Sequence, residues 1–270
     1  MKALLLVLIV VAAIALAEWL PKWRLRRAVQ GHFPDQFVGI LEKNIPVYRK
    51  MAVQEQQQLQ YLIKQFLHQK EFYGCGGLDI TDEIRVTIAG LACLLLLNRL
   101  PRVYPELHSI LVYPSAFVAS STEQDEGGVV THSRESLLGE SWGDGRVVLS
   151  WDDVQRGTQN FTDGHNVVLH EFAHQLDEES GRANGAPILG SRLSYPGWEA
   201  VLSREFASLR SDVLHHHETV LDEYGATDPA EFFAVATETF FEMPVQLAEH
   251  HPELFKELQR YYQVEPRDWL

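Results

Sequence analysis

The spacing of apolar positions separates helical from strand-like stretches of the chain. Between residues 45 and 70, apolar side chains recur every three or four positions, which predicts an amphipathic helix; they are Leu59, Leu62, Ile63, Phe66 and Leu67. A second helix is predicted to begin after Thr81, a good N-cap residue, with Asp82 and Glu83 in its first turn. Because the stretch from Ile88 to Leu97 is apolar on nearly every side, we expect this helix to be buried at the centre of the domain.

Strand-like segments occupy the middle of the chain. Residues 109–113, 116–119 and 146–151 are short apolar runs separated by polar, glycine-containing stretches, which predicts strands. The pattern is helical again from residue 160 to the end. Helices, then a small sheet, then more helices indicate an α+β domain that is mostly helical.

The N-terminal segment is the most apolar part of the chain. Residues 3–17 are apolar without interruption, and residues 18–20 extend this run to about the lower limit of 17–25 residues for a membrane-spanning helix. Lys2 alone precedes the run, whereas four basic residues follow it, namely Lys22, Arg24, Arg26 and Arg27. Because a basic excess marks the cytoplasmic flank, we expect residues 3–20 to form a single-pass inner-membrane anchor with the following domain in the cytoplasm.

Two alternatives remain for this segment. The triplet Ala15-Leu16-Ala17 resembles a small-residue cleavage site, so the run could be a signal peptide that is removed on export. It could also be a buried helix of a cytoplasmic protein. Residues 1–27 are therefore the predicted anchor or signal segment, and residues 28–270 are predicted to be one domain, with no low-complexity linker or internal repeat.

Composition and charge narrow the functional classes. The 270 residues are 46% hydrophobic and 22% charged, which is typical of a globular protein. The net charge of −14 excludes a protein that wraps nucleic acid through its phosphate backbone. The two cysteines, Cys75 and Cys93, are too few for a disulfide framework or a four-cysteine metal site, and we expect them to be buried thiols.

The clearest chemical signal lies in the apolar helical stretch 165–177. His170 and His174 flank Glu171 in the pattern His-Glu-x-x-His. Positions i and i+4 share one helix face, so both imidazoles can bind one cation. Glu171 is not a ligand at this spacing, but it can exchange a proton with a water molecule beside the metal. We therefore predict a metal site, because two buried histidines and a glutamate would be costly without a partner.

The spacing does not identify a third ligand. Catalytic zinc sites use three protein ligands and leave one position for water. No third histidine follows at the metzincin spacing, because residues 177 and 180 are Asp and Ser. The remaining candidates are Glu199, Glu231, Glu238, Glu242 and the triplet His215–His217, which we expect to lie on the surface. Asp228 and Pro229 indicate a helix start, so Glu231 could equally belong to a capping box.

Five segments, in a fixed order, resemble the zinc-dependent peptidases typified by Mlc titration factor A. They are GGLDITDEIRVTIAGLACLLL, LVYPSAFV, GESWGDGRVVLSWDDV, NVVLHEFAHQLD and DEYGATDPAEFFAVATETFFE, and they cover most of residues 70–245. This family is gluzincin-like, and its core is similar to the catalytic domain of anthrax lethal factor. The resemblance implies a zincin-like metallopeptidase domain with one zinc ion per chain.

The resemblance also implies roles for individual residues. It implies His170, His174 and Glu231 as zinc ligands, Glu171 as the catalytic base and Tyr224 as a catalytic tyrosine. A phenol beside the metal can donate a hydrogen bond to a developing oxyanion. The resemblance further implies a peptide or protein substrate, aminopeptidase-like cleavage and binding of a transcriptional repressor.

Two questions stay open in the sequence. Asp177 could orient a histidine by accepting its outer N–H, or it could be a carboxylate on the helix surface. The rival functional hypothesis is a regulatory protein-binding module with a structural zinc. Such a site is normally closed by four protein ligands, so the number of ligands distinguishes the two hypotheses.

Overall fold

The computed structural model describes residues 16–17, 19–99, 103–115, 117–124, 130–137, 139–142, 145–189 and 195–270, with the backbone alone between 117 and 142. The helices are α1 (residues 19–30), α2 (Asp35–Asn44), α3 (Val53–Gln69), α4 (Asp82–Leu94), α5 (Trp151–Gln159), α6 (Val167–Glu178), α7 (Tyr195–Leu214), α8 (Pro229–Glu242), α9 (Pro244–His250) and α10 (Pro252–Tyr262). Short 3₁₀ helices cover Pro46–Arg49, Glu223–Ala226 and Pro266–Trp269. The fold is therefore α+β and mostly helical, as predicted.

Helix α4 forms the centre of the core. The Thr81 side chain caps it by accepting a hydrogen bond from the Ile84 amide at 3.2 Å, and nearly all of the helix is buried, as predicted. Helix α2 packs against α4 at Gly90, where an added side chain would displace the ends of the Leu41 and Ile45 side chains. Cys93 is buried in α4 as expected, but Cys75 is only half-buried, because it lies in a turn after β1.

A small mixed sheet lies beside the helices. It consists of β1 (Glu71–Gly74), β2 (Ser109–Tyr113), β6 (Arg146–Ser150) and β5 (Gly139–Trp142) in that order, with β1, β2 and β6 parallel and β5 antiparallel to β6. Strands β3 (Phe117–Gln124) and β4 (Val130–Leu137) form a separate antiparallel pair. The strands predicted at 109–113 and 116–119 correspond to β2 and to the start of β3.

Two predicted boundaries were wrong. Trp151 is the first residue of α5 and not the end of a strand, because the Ser150 hydroxyl accepts a hydrogen bond from the Asp153 amide and caps that helix. The helix expected within 45–70 begins only at Val53, after the 3₁₀ helix that starts at Pro46. Neither correction affects α6, which packs against α4, α5, α8 and the strands β5 and β6.

The predicted membrane segment, residues 3–20, lies almost entirely outside the described residues. Among the helices that the structure describes, none is long and apolar enough to cross a membrane. The division into residues 1–27 and 28–270 and the location at the inner membrane stay predictions.

Candidate metal centre

Helix α6 presents two histidines on one face. It begins at Asn166, whose side-chain oxygen accepts a hydrogen bond from the Leu169 amide at 3.2 Å. The apolar residues of the helix are buried in the core, namely Val168, Leu169, Phe172, Ala173 and Leu176. This packing fixes the rotation of α6, so His170 and His174 lie side by side with their ring centroids 4.9 Å apart.

Helix α8 brings a carboxylate to the same place. Asp228 caps α8 by accepting hydrogen bonds from the Ala230 and Glu231 amides at 2.8 and 3.0 Å. The cap therefore uses the backbone of Glu231 and leaves its carboxylate free to lie against the two histidines of α6. The Glu231 amide therefore donates to the N-cap of α8, while the Glu231 carboxylate contacts the two histidines.

Three ligand atoms converge at this place. The Oε2 atom of Glu231 lies 3.0 Å from His170 Nε2 and 3.4 Å from His174 Nε2, and the two Nε2 atoms are 3.2 Å apart. Four ligands around one ion with bonds of about 2.0–2.2 Å lie about 3.4 Å from one another. The side chains therefore fit one divalent metal ion, and no other group of three such residues in the described part of the chain does so.

Glu238 fixes the tautomer of His170. Its Oε1 atom lies 2.7 Å from His170 Nδ1, and its Oε2 atom accepts a hydrogen bond from the Asn166 amide at 2.5 Å. A carboxylate at Nδ1 keeps a proton on that nitrogen and leaves the Nε2 lone pair for a metal. Glu238 therefore contacts the outer nitrogen of His170 and not the place where the ligand atoms meet.

The charges favour a cation between the three atoms. Burial lowers the pKa of His170, but hydrogen bonds to Glu231 and Glu238 outweigh burial and hold that pKa well above its usual value. Burial raises the pKa of Glu231, yet hydrogen bonds to His170 and His174 bring it down to about 2. Glu231 is therefore ionised at neutral pH, and its negative charge favours a positive charge beside the two imidazole nitrogens.

Glu171 lies beside this cluster without joining it. Its side chain is buried, and its Oε2 atom has no hydrogen-bond partner. Burial raises the pKa of Glu171 to about 7, although His170 and His174 act to lower it. A carboxyl group with such a pKa can both accept and release a proton near neutral pH.

Glu242 holds the segment that leads into α6. Its two oxygens accept hydrogen bonds from Asn166 Nδ2 at 2.9 Å and from the Gly164 amide at 3.1 Å. Burial, reinforced by Glu238, raises the pKa of Glu242 to about 8. Glu238 and Glu242 thus both contact Asn166, one helical turn apart on α8. Neither contact could be assigned from the sequence, which left both residues as candidate ligands.

Asp177 takes neither of the two roles expected for it. It is fully buried, and its Oδ2 atom accepts hydrogen bonds from the amides of Asn184 and Gly185 at 2.7 and 2.6 Å. Gly185 has a positive φ of 74°, and a side chain there would overlap the carbonyl oxygen of Pro229. Asp177 therefore holds the loop after α6 against the start of α8, the helix that carries Glu231.

Tyr224 stands at the solvent side of the cluster. It lies in the 3₁₀ helix Glu223–Ala226, where Asp222 accepts a hydrogen bond from its amide at 2.8 Å. Its ring centroid is 6.0 Å from that of His170, and the residue is 55% exposed. Two other candidates lie elsewhere: Glu199 is exposed on α7, and His215–His217 are exposed just after its end.

The site has the arrangement of the HExxH metallopeptidases. Two histidines lie one helical turn apart, a buried glutamate follows the first of them, and a later helix supplies a carboxylate. Comparison with known families agrees, because the family model described as "Glucose-regulated metallo-peptidase M90" matches residues 20–263. The chain belongs to this metallopeptidase family, and the family implies a divalent metal ion.

Individual relatives support the same assignment. An uncharacterized protein of Synechocystis is 41% identical over 250 residues, which are 92% of this chain and 90% of the relative. Mlc titration factor A of Klebsiella pneumoniae is 36% identical over 225 residues, 82% of this chain and 84% of that protein. The protein of the same name from Escherichia fergusonii is 34% identical over 225 residues, with the same shares. The family resemblance inferred from the five segments is thereby confirmed.

Proposed function

We propose that this protein is a zinc-dependent peptidase with one zinc ion held by His170, His174 and Glu231. The observation that carries the proposal is the convergence of three ligand atoms within 3.4 Å of one another. Two imidazole nitrogens and one carboxylate oxygen are the donor set of catalytic zinc in several peptidase families. When bound, zinc supplies Lewis acidity toward a substrate carbonyl oxygen and toward water.

Glu171 is the proposed general base and acid. Its Oε2 atom, which has no hydrogen-bond partner in the protein, takes the proton from the water that attacks the peptide carbonyl, and the carboxyl group later delivers a proton to the leaving amine. Tyr224, at the open side of the cluster, donates its phenolic hydrogen to the oxyanion that forms on the substrate carbonyl. Glu238 keeps the His170 ring in its binding orientation throughout.

The accessibility of the ligands supports a catalytic over a structural metal. The side chains of His174, His170 and Glu231 keep 12%, 14% and 18% of their surface exposed, so a substrate can reach their side of the site. A structural zinc is normally enclosed by four protein ligands. Within the described residues, the cluster supplies three.

We propose peptides or proteins as the substrates and an aminopeptidase-like mode of cleavage. The name Mlc titration factor A, carried by several relatives, supports a further proposal that this chain also binds a transcriptional repressor. The rival proposal keeps that binding and gives the zinc a purely structural role. The two differ in one measurable property, which is hydrolysis that depends on Glu171.

A peptide-library cleavage assay tests the proposal. The purified protein should cleave library members, lose that activity to a chelator and recover it when zinc is added back. Glu171→Gln should keep bound zinc but lose at least about 10²–10⁴-fold in activity, the usual contribution of general acid–base catalysis. Absence of cleavage by the zinc-loaded wild type, or equal cleavage by Glu171→Gln, would support the structural-zinc alternative.

A further inference from the structure

Helix α1 carries an exposed aromatic pair far along the chain from the metal site. The rings of Trp19 and Trp23 stack with centroids 5.9 Å apart, and the two residues are 55% and 40% exposed. Arg27, one turn further on, lies over the Trp23 ring at 5.5 Å from its centroid. An exposed pair of tryptophans beside basic side chains is typical of a binding surface. Such a surface suits a partner that has both an apolar layer and a negatively charged layer.

The opposite edge of α1 is fixed to the domain. Val29 is buried, and Lys64 of α3 donates hydrogen bonds to the carbonyl oxygens of Val29 and Gly31 at 2.5 and 2.7 Å. These contacts satisfy carbonyl groups at the C-terminal end of the helix, which otherwise lack partners. The rotation of α1 is thereby set with its tryptophan face directed away from the domain.

The charge on α1 is opposite to that of the rest of the chain. Its exposed basic side chains are Lys22, Arg24, Arg26 and Arg27, and no acidic residue occurs between positions 19 and 34. These four residues carry +4 while the whole chain carries −14, so the remainder carries −18. An anionic surface repels the negatively charged remainder of the chain, whereas it attracts the positive charge of α1.

We propose that the outward side of α1, formed by Trp19, Trp23, Arg24, Arg26 and Arg27, binds the anionic headgroups of a lipid bilayer. Tryptophan prefers the boundary between headgroups and acyl chains, and lysine and arginine bind acidic headgroups. The apolar run of residues 3–17 ends two positions before Trp19, which favours a lipid surface over a nucleic acid as the anionic partner. Binding through α1 is independent of the metal site.

Vesicle binding by the full-length protein tests the proposal. Co-sedimentation is measured with phosphatidylcholine vesicles and with vesicles that also contain phosphatidylglycerol. Binding should be much stronger to the anionic vesicles and should weaken as salt is added. Replacing Arg24, Arg26 and Arg27 together with Gln should lower it about a hundredfold, because each basic residue near an anionic surface contributes about fivefold.

Matched variants separate a local effect from a general one. Replacing Lys50, Arg210 and Lys256 with Gln removes the same charge from exposed positions elsewhere and should leave binding unchanged. Brominated phosphatidylglycerol should quench tryptophan fluorescence of the wild type, and the Trp19→Phe, Trp23→Phe double variant should lose most of that quenching. The same dependence on phosphatidylglycerol and salt in the wild type and the Arg24, Arg26, Arg27 variant, unchanged quenching in the double tryptophan variant, or preferential binding to a polynucleotide would overturn the proposal.

Discussion

Replacing Glu238 with glutamine should weaken metal binding without removing a metal ligand. In the wild type, the two carboxylate oxygens serve two donors, with His170 Nδ1 at 2.7 Å and the Asn166 amide at 2.5 Å. Glutamine has one acceptor oxygen and places an NH₂ group where the second donor needs an acceptor. The variant must therefore leave either His170 or the start of α6 without its hydrogen bond.

The size of the effect follows from these contacts. A buried donor without an acceptor costs about 1–3 kcal/mol. Loss of the carboxylate that orients a metal-binding histidine usually lowers metal affinity or activity about 10–100-fold. At about 1.4 kcal/mol for each factor of ten, the two ranges agree. Glu238→Gln should thus bind zinc about 10–100-fold more weakly than the wild type.

Glu242→Gln is the matched control for this experiment. Glu242 is also buried on α8 and also contacts Asn166, but its hydrogen bonds go to Asn166 Nδ2 and the Gly164 amide and not to a histidine. Zinc affinity should be measured by competition with a chromophoric chelator, and ¹⁵N NMR of the zinc-loaded protein should report whether His170 Nδ1 carries a proton. Equal weakening of zinc binding in the two variants would show that the contact between Glu238 and His170 does not orient His170 for the metal. Wild-type zinc affinity in Glu238→Gln would show the same.

Other carboxylates should affect metal content and stability separately. Glu231→Ala should lose most of its zinc per folded chain by elemental analysis, whereas Glu199→Ala should keep it; the reverse result would move the third ligand to α7. Asp177→Ala should lower the free energy of unfolding by roughly 2–6 kcal/mol with normal zinc content, because it leaves the Asn184 and Gly185 amides without an acceptor at about 1–3 kcal/mol each. A variant of unchanged stability would contradict this role. Because the pKa of Glu242 is raised from 4.5 to about 8, the native state holds an extra proton in that interval and loses stability as pH rises through it. Denaturant titrations in chelator should show a shallower slope in Glu242→Gln than in the wild type, because Glu171 and His170 still contribute, and identical slopes would refute the assignment.

The parts of the fold set by local chemistry could be predicted from the sequence. Thr81 marks the start of α4, and Asp228 with Pro229 marks the start of α8, because caps and first-turn prolines act within a few residues. Strand β1 was not predicted, because four residues carry little periodicity and its pairing with β2 joins residues that are 38 positions apart, Glu71 with Ser109. Tertiary contacts decide such short strands.

In the site, too, local features could be predicted from the sequence and tertiary contacts could not. His170, Glu171 and His174 could be predicted as a group because the i, i+4 spacing on a helix is a local geometry. Glu231 lies 61 residues after His170, so its approach depends on how α8 packs against α6. Without the family resemblance, the sequence left four glutamates and a histidine triplet as candidates. The role of Asp177 depends on a loop that takes shape only when it packs against Pro229, which no spacing along α6 encodes.

Anomalous diffraction at the zinc edge from crystals of the zinc-loaded protein shows which side chains hold the metal. We expect one zinc position per chain, at about 2.0–2.2 Å from His170 Nε2, His174 Nε2 and a Glu231 oxygen. Glu171 should remain uncoordinated, and the next position should be open to water or substrate. A fourth protein ligand that closes the site, or coordination by Glu238 or Glu242 in place of Glu231, would contradict this expectation.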